Sequence, residues 1–299
     1  MVSIQKSTYS LEMISGKKDQ IKEFVLASFK WVKEIERRDV EQEINRIKGN
    51  YHIDHCWILR NSEKIGVVRI VRGLFYALGL DDAVSPVEIP KILDEICLDT
   101  SSWNFNKLEA TIHQDFLHFL IEKEFMIDYS RKKLLIKFAD FSPVPIDETI
   151  IVDYSKIHFH QVVNTFIDAY RGSIDEKIGM FGPNIARSAI ESIINGNFGK
   201  FIPELSGVIL EKDTNYVQGA VMCTISENIP FVVIIGLRSL YKNQGLGRKL
   251  LTWCILRSIQ KGYEEMSLWV TTENNNALHL YKSLGFTEVL TIFKMQKNF

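Results

Sequence analysis

A hydrophobic run over residues 231–237 passes through a short glycine-bearing loop straight into an amphipathic stretch over residues 245–260. The join reads Leu237-Arg238-Ser239-Leu240-Tyr241-Lys242-Asn243-Gln244-Gly245-Leu246-Gly247-Arg248. Beyond it, Leu246, Leu250, Leu251, Cys254, Ile255 and Ile259 recur at helical spacing. A strand that feeds a helix this directly calls for a mixed fold of sheet and helix. The first N–H groups of such a helix lack intrahelical partners, and its dipole adds partial positive charge. A pyrophosphate fits there. Gly245 and Gly247 carry no Cβ, so phosphate oxygens can approach the backbone between Lys242 and Gly247, with Asn243, Gln244 and Leu246 completing the loop. Lys242 and Arg248 bring positive charge to the same place. A tight turn without ligand is a second reading. A dinucleotide loop is a third, but its GxGxxG spacing and downstream acid are missing.

The elements around this join alternate. Residues 150–152 read as a strand and residues 157–170 as a helix, with Ile157, Val162, Val163, Phe166, Ile167 and Tyr170 on one side. A second helix follows Pro183. Strands at 205–210, 217–226 and 231–237 are separated by polar turns at 212–215 and 227–228. After the glycine loop and its helix come a strand at 266–270, a helix at 276–284 closed by Gly285, and a strand at 289–295. The order is β-α-α-β-β-β-α-β-α-β.

The chain of 299 residues suits two domains of about 150 residues each. Pro143 and Pro145 mark the break, giving expected domains 1–142 and 143–299. The first half repeats the element order: helices at 20–31 and 40–47, strands at 56–59, 64–71 and 74–80, a helix at 87–96, a strand at 108–112, a helix at 115–123 and a strand at 134–138. Leu117-His118-Phe119-Leu120 with Glu124-Phe125 echoes Leu278-His279-Leu280-Tyr281 with Gly285-Phe286. Duplication with divergence is the preferred account, and the same element order arising twice by chance is the alternative.

The loop resembles the acyl-CoA loop of the GNAT superfamily of N-acetyltransferases, [Q/R]-x-x-G-x-[G/A], with Lys242, Gly245 and Gly247 on its fixed positions. Lys242 departs from the usual Arg or Gln; it keeps the charge but loses the planar fork. A second segment resembles the family's N-x-x-A-x-x-x-Y-x-x-x-G-F stretch, with Asn274, Ala277, Tyr281, Gly285 and Phe286 in register. The resemblance implies an α/β (α+β) chain of two GNAT-like domains in tandem, each a mixed, mostly antiparallel twisted sheet flanked by helices. Tandem members such as mycothiol synthase are similar in this. It also implies acetyl-CoA as acyl donor and a primary amine as acceptor, attacking the thioester directly. Tyr281 is the implied proton donor to sulfur, and Asn274 contacts the pantetheine arm or positions its helix. The strand at 231–237 should open away from the strand at 266–270, leaving backbone groups of Ile235 and Leu237 for the pantetheine amides, with Gly236 marking a close approach or bulge.

The sequence does not single out a base. Glu227, Glu204, Asp168 and Asp175 are candidates, each also readable as a solvated charge. Cys223 allows an acyl-cysteine route or a buried structural thiol. His279, Trp253 and Trp269 receive no role. In the first half, residues 79–90 lack the glycine pair. Asp81, Asp82 and Glu88 would repel phosphate, Pro86 and Pro90 remove donors, and Leu120 stands where Tyr281 would. That half is expected to lack a cofactor site.

Composition excludes several classes. Net charge is −1, so no basic nucleic-acid face is implied. Four cysteines form no CxxC pair, and no metal site is expected. No apolar run approaches the roughly 20 residues of a membrane span, and no secretory h-region is visible, so a cytoplasmic protein is expected. A small-molecule acceptor is favoured over a protein one, and the sequence leaves oligomeric state open. A peptide N-acetyltransferase, a longer acyl donor and a non-catalytic acyl-CoA sensor or scaffold stay open as alternatives.

Overall fold

The computed structural model describes residues 8–32, 40–49, 52–101, 107–143 and 150–298. In chain order, β1 is Tyr9–Met13, α1 Lys18–Trp31, α2 Val40–Gly49, β2 Asp54–Arg60, β3 Glu63–Val71 and β4 Leu74–Leu80. Then come α3 Ile89–Ser101, β5 Lys107–His113, α4 Leu117–Glu122 and β6 Met126–Lys137. The second half holds β7 Ile150–Asp153, α5 Phe159–Tyr170, α6 Ile174–Lys177, α7 Ala186–Ile194, β8 Lys200–Phe201, β9 Gly207–Leu210 and β10 Val217–Ser226. It closes with β11 Ile229–Leu237, α8 Leu246–Gln260, β12 Glu265–Thr271, α9 Asn275–Ser283 and β13 Thr287–Asn298.

Two compact units result: Met1–Ser130 with Leu290–Phe299, and Arg131–Val289. This division differs from the expected 1–142 and 143–299. Arg131 to Lys137 of β6 pair with β12, inside the second unit. Ile292 to Asn298 of β13 pair with β5, inside the first. Strand pairing is non-local, so the proline pair could not reveal which sheet each late strand joins. Pro143 lies within the second unit, and Pro145 lies outside the described residues.

In the first unit, β1 to β4 pair antiparallel in sequence order, and β4 runs parallel to β5. Side chains alternate between two cores. Cys56, Ile58, Phe75 and Leu78 pack with α3 and α4, while Trp57, Leu59, Val67 and Ala77 pack with α1 and α2. Phe75 and Leu78 are three apart yet share a face, because the β3–β4 register slips between Val67 and Arg69. Ala77 sits at the slip with φ +51°. Beneath α2 lies a buried ion pair, Glu43 to Arg69 at 2.9 Å, joined by Arg46 at 2.6 Å.

The second unit repeats the plan. β7, β9, β10 and β11 form an antiparallel run, and β11 is parallel to β12. Val221, Cys223, Val232 and Ile235 face the core under α8 and α9; Ala220, Met222 and Ile234 face α5 and α7. Val232 and Ile235 again share a face across a register slip, here at Val233. The turn between β10 and β11 is a two-residue hairpin with Glu227 and Asn228 at φ +54° and +66°.

Candidate functional site

The extra residue at Val233 gives β11 additional twist. It pairs with β12 only at Phe231–Ser267 and Val232–Leu268, then leaves it. Residues 234–237 therefore keep β10 on one side and open on the other. Ile235, Gly236 and Leu237 form one wall of a cavity of about 790 Å³. That volume lies in the range of small-ligand sites. Gly236 is required by the helix behind it: a Cβ there would meet Cβ of Ala169 at 2.9 Å and Cδ1 of Phe166 at 3.2 Å. The Tyr170 hydroxyl donates to the Ile235 carbonyl at 3.3 Å.

The loop after β11 is fixed from behind. Arg238 Nε donates to Thr165 Oγ1 at 3.1 Å and to the Val217 carbonyl at 2.9 Å. Asp168 accepts the Ser239 N–H at 2.6 Å and so caps the short turn Ser239–Tyr241. Asn243 and Gly245 take left-handed backbone, φ +62° and +75°, which turns the chain into α8. Lys242, Asn243, Gly245, Gly247 and Arg248 line the cavity. Gln244 and Leu246 do not: Gln244 Nε2 donates to the Leu240 carbonyl at 3.0 Å, and Leu246 packs into the core. The two cations are held rather than loose. Lys242 Nζ donates to the Ala169 carbonyl at 2.8 Å, and Arg248 NH1 to the Ser283 carbonyl at 3.3 Å. Both carbonyls lie near helix C-termini, where cations are favoured.

The opposite wall comes from α9. Asn274 is its N-cap, its Oδ1 accepting the Ala277 N–H at 3.2 Å. Tyr281 is 6% exposed, lines the cavity, and its hydroxyl has no partner among the described residues. Burial pushes its phenol well above the ordinary 10.0; the charge of Asp175 pushes the same way, and Arg131 opposes it. Tyr170 is raised in the same manner by burial, then by Tyr281 and Asp175. Two neutral phenols thus stand within reach of the Asp175 charge, and Glu273 also lines the cavity.

The other acidic candidates separate clearly. Asp168 is taken up by the loop. Glu227 pairs with Lys133 at 3.0 Å and does not line the cavity. Glu204 is exposed and also outside it. Asp175 accepts from Thr271 Oγ1 at 2.6 Å and follows Ser173 and Ile174, which do line it. Cys223 is buried beside Cys254, whose thiol is raised by its hydrogen bond with Cys223 and by burial. His279 is exposed. Trp253 fills the space over Gly207, where a Cβ would meet its ring at 2.7 Å, and Trp269 lies 5.9 Å from the Arg131 guanidinium. Sequence reasoning gave no site role to Tyr170, Thr271 or Arg131. The helical spacing marked Tyr170 only as a core position; nothing in the pattern marked the other two.

In the first unit, the segment after β4 is closed by its own acids. Asp81 Oδ1 accepts the Ala83 N–H at 2.9 Å, and Glu88 Oε2 the Ser85 N–H at 3.0 Å. Leu120 is fully buried. Among the described residues no cluster of three or more His, Cys, Asp or Glu is placed to hold a metal, and no helix is long and apolar enough to cross a membrane.

Residues 188–286 match the acetyltransferase (GNAT) family model. A curated relative, mycothiol acetyltransferase of Corynebacterium aurimucosum, is 38% identical over 56 residues, which is 19% of this chain and 18% of that protein. The chain thus matches less than a fifth of that relative's length. Among solved structures, a GCN5-related N-acetyltransferase of Sphaerobacter thermophilus aligns over 98% of this chain and 96% of its own, with a TM-score of 0.72 and 11% identity. A tandem GNAT protein from the clavulanic acid biosynthesis pathway aligns over 97% and 98%, with a TM-score of 0.65 and 10% identity.

Proposed function

We propose that the protein transfers the acetyl group of acetyl-CoA to a primary amine, a reading supported by the match of residues 188–286 to the GNAT acetyltransferase family model and by solved structures that share the fold over the chain. The observation that carries this reading is the parting of β11 from β12 after Val232, in front of the N-terminus of α8 and the phenol of Tyr281. Acetyl-CoA fits these residues. The two amides of its pantetheine arm match an open strand edge at residues 234–237, and its pyrophosphate matches the free N–H groups behind Gly245 and Gly247. Nothing lies within 4 Å of a Cβ built on Gly245, so the approach is clear. When bound, it supplies an activated acyl thioester.

Each protein group then has a defined task. The open edge of β11 orients the acyl donor and supplies a backbone N–H near residues 234–236 to polarise the carbonyl. Lys242 and Arg248 neutralise phosphate charge beside the α8 N-terminus. Asn274 holds the start of α9, and α9 holds Tyr281. Tyr281, kept neutral by burial, donates a proton to the departing sulfur. The first unit lacks these features: its acids occupy the N–H groups that a phosphate would need, and Leu120 cannot donate. We assign it as a degenerate GNAT-like domain without a cofactor.

A small metabolite is the favoured acceptor, since the cavity is bounded by α5, α6 and α9 as well as by β11. Calorimetric titration with acetyl-CoA tests the reading. One site per chain is the expected stoichiometry, followed by thiol release on adding an amine. No binding at millimolar acetyl-CoA would overturn it, and binding without release with any amine would favour a sensor.

A further inference from the structure

Five side chains from five elements of the second unit meet where β12 ends. Tyr170 comes from α5, Asp175 from α6, Arg131 from β6, Thr271 from β12 and Tyr281 from α9. Arg131 and Thr271 are register partners across β6 and β12. Thr271 donates to Asp175 Oδ1 at 2.6 Å, which fixes one carboxylate oxygen. The other, Oδ2, accepts from no group among the described residues, and the side chain is half-buried. The segment leading to Asp175 lines the cavity at Ser173 and Ile174, and Tyr281 faces the same space. The charge of Asp175 is felt at both phenols. A carboxylate oriented by a third group, with one free oxygen beside a reaction cavity, has the construction of a general base.

Resting on the acetyl-transfer reading, we propose that Asp175 is the residue that receives the acceptor's ammonium group and takes its proton, with Thr271 as its positioning residue. An alkyl amine is protonated at neutral pH, with a pKa of about 10, and cannot attack until it loses a proton. The ammonium gives one proton to Asp175, which passes it to water. The neutral nitrogen forms the C–N bond and the C–S bond breaks. Sulfur takes the Tyr281 proton, and the phenol is restored by the second proton that nitrogen sheds. The sum is one ammonium and one thioester giving one amide, one thiol and one released proton. The acceptor class follows: a cationic primary amine. Arg131, the register partner of Thr271, is a cation whose charge also reaches Tyr281, while Arg171 and Glu273 line the cavity.

The test compares Asp175→Asn with wild type on two nucleophiles, ethanolamine as an ammonium and hydroxylamine, which is neutral at about pH 8. The expected result is about a hundredfold loss of kcat/KM on ethanolamine near neutral pH, shrinking as pH rises toward about 10. Loss on hydroxylamine stays within about threefold, calorimetric acetyl-CoA affinity is unchanged, and Asp175→Glu restores part of the rate. Thr271→Val, which keeps the side-chain shape, shows a smaller loss with the same pH recovery and covers the case in which Asp175→Asn folds poorly. Equal loss on both nucleophiles, or retained ethanolamine turnover in Asp175→Asn, overturns this proposal alone. A wild type that binds no acetyl-CoA and turns over neither nucleophile overturns the acetyl-transfer reading and this proposal with it.

Discussion

A methyl group on Gly236 would lie 2.9 Å from Cβ of Ala169, so α5 rests directly on the backbone of the strand that opens toward the cavity. Gly79 stands in the same relation to α1, where a Cβ would meet the Trp31 carbonyl carbon at 2.6 Å. Both glycines sit one residue before the end of a strand that carries a bulge, at Val233 and at Ala77. Gly236→Ala is expected to destabilise by about 1–3 kcal/mol through overpacking and to weaken acetyl-CoA binding by moving α5 and Lys242. Gly79→Ala is expected to cost at least as much, because its obstacle is backbone, yet to leave acetyl-CoA affinity unchanged. Denaturant unfolding paired with calorimetry separates the two.

The glycine loop, the α8 helix and the strand at Val217–Ser226 were legible because local pattern specifies them: a period of 3.6, a period of 2, and Gly at left-handed positions. The parting of β11 from β12 was legible only through resemblance. β1, β8 and α6 gave no usable period, being two to five residues long. The unit to which β6 and β13 belong was hidden for another reason. Their sequences read as strands in either sheet, and only distant partners decide. Asp175 was visible as one of four acids. What set it apart, the Thr271 hydroxyl 96 residues away, is a tertiary fact.

Tyr281→Phe is expected to lower acetyl-transfer turnover about a hundredfold while acetyl-CoA affinity stays within about twofold. The pH profile carries a further expectation. Burial raises the Tyr281 pKa above 10.0, so the phenol stays protonated as pH rises through neutrality to 10. Any alkaline fall in rate below that pH must come from another group, and it should persist in the residual activity of Tyr281→Phe. A basic limb that vanishes in the variant would refute the assignment of the proton donor.

The buried cluster of the first unit sets its acid stability. Against the opposing effect of burial, Arg46 and Arg69 hold Glu43 down at about 2, below its ordinary 4.5, while burial and Arg69 lower His55 to about 4 from 6.5. Both folded pKa values lie below the unfolded ones, so the unfolded chain binds more protons and stability falls with falling pH. The His55 contribution is complete above 6.5 and is lost toward about 4; the Glu43 contribution is complete above 4.5 and is lost toward about 2. His55→Asn should remove the upper part of this decline, leaving the lower part. Glu43→Gln should cost about 3–5 kcal/mol at neutral pH, because Arg69 is left buried without its partner. Thermal unfolding of the full chain across pH reads both.

The two loop glycines should behave oppositely on substitution. Gly245 has open space around it but a φ of +75°, so alanine there is strained whatever the room. Gly245→Ala is expected to cost about 1–2 kcal/mol of stability and to tilt the first turn of α8, weakening acetyl-CoA binding about tenfold. At Gly247 the backbone is helical, and an added Cβ meets only Leu280 at 3.5 Å and Leu237 at 3.7 Å, ordinary contacts. Gly247→Ala replaces glycine inside a helix, which favours folding by up to about 1 kcal/mol. The methyl also faces a side of the loop where the family pattern tolerates alanine, so affinity should change by less than about threefold. Calorimetry on both variants decides. Equal losses of affinity would mean that room beside Gly247, rather than the direction that Gly245 gives to α8, sets phosphate binding.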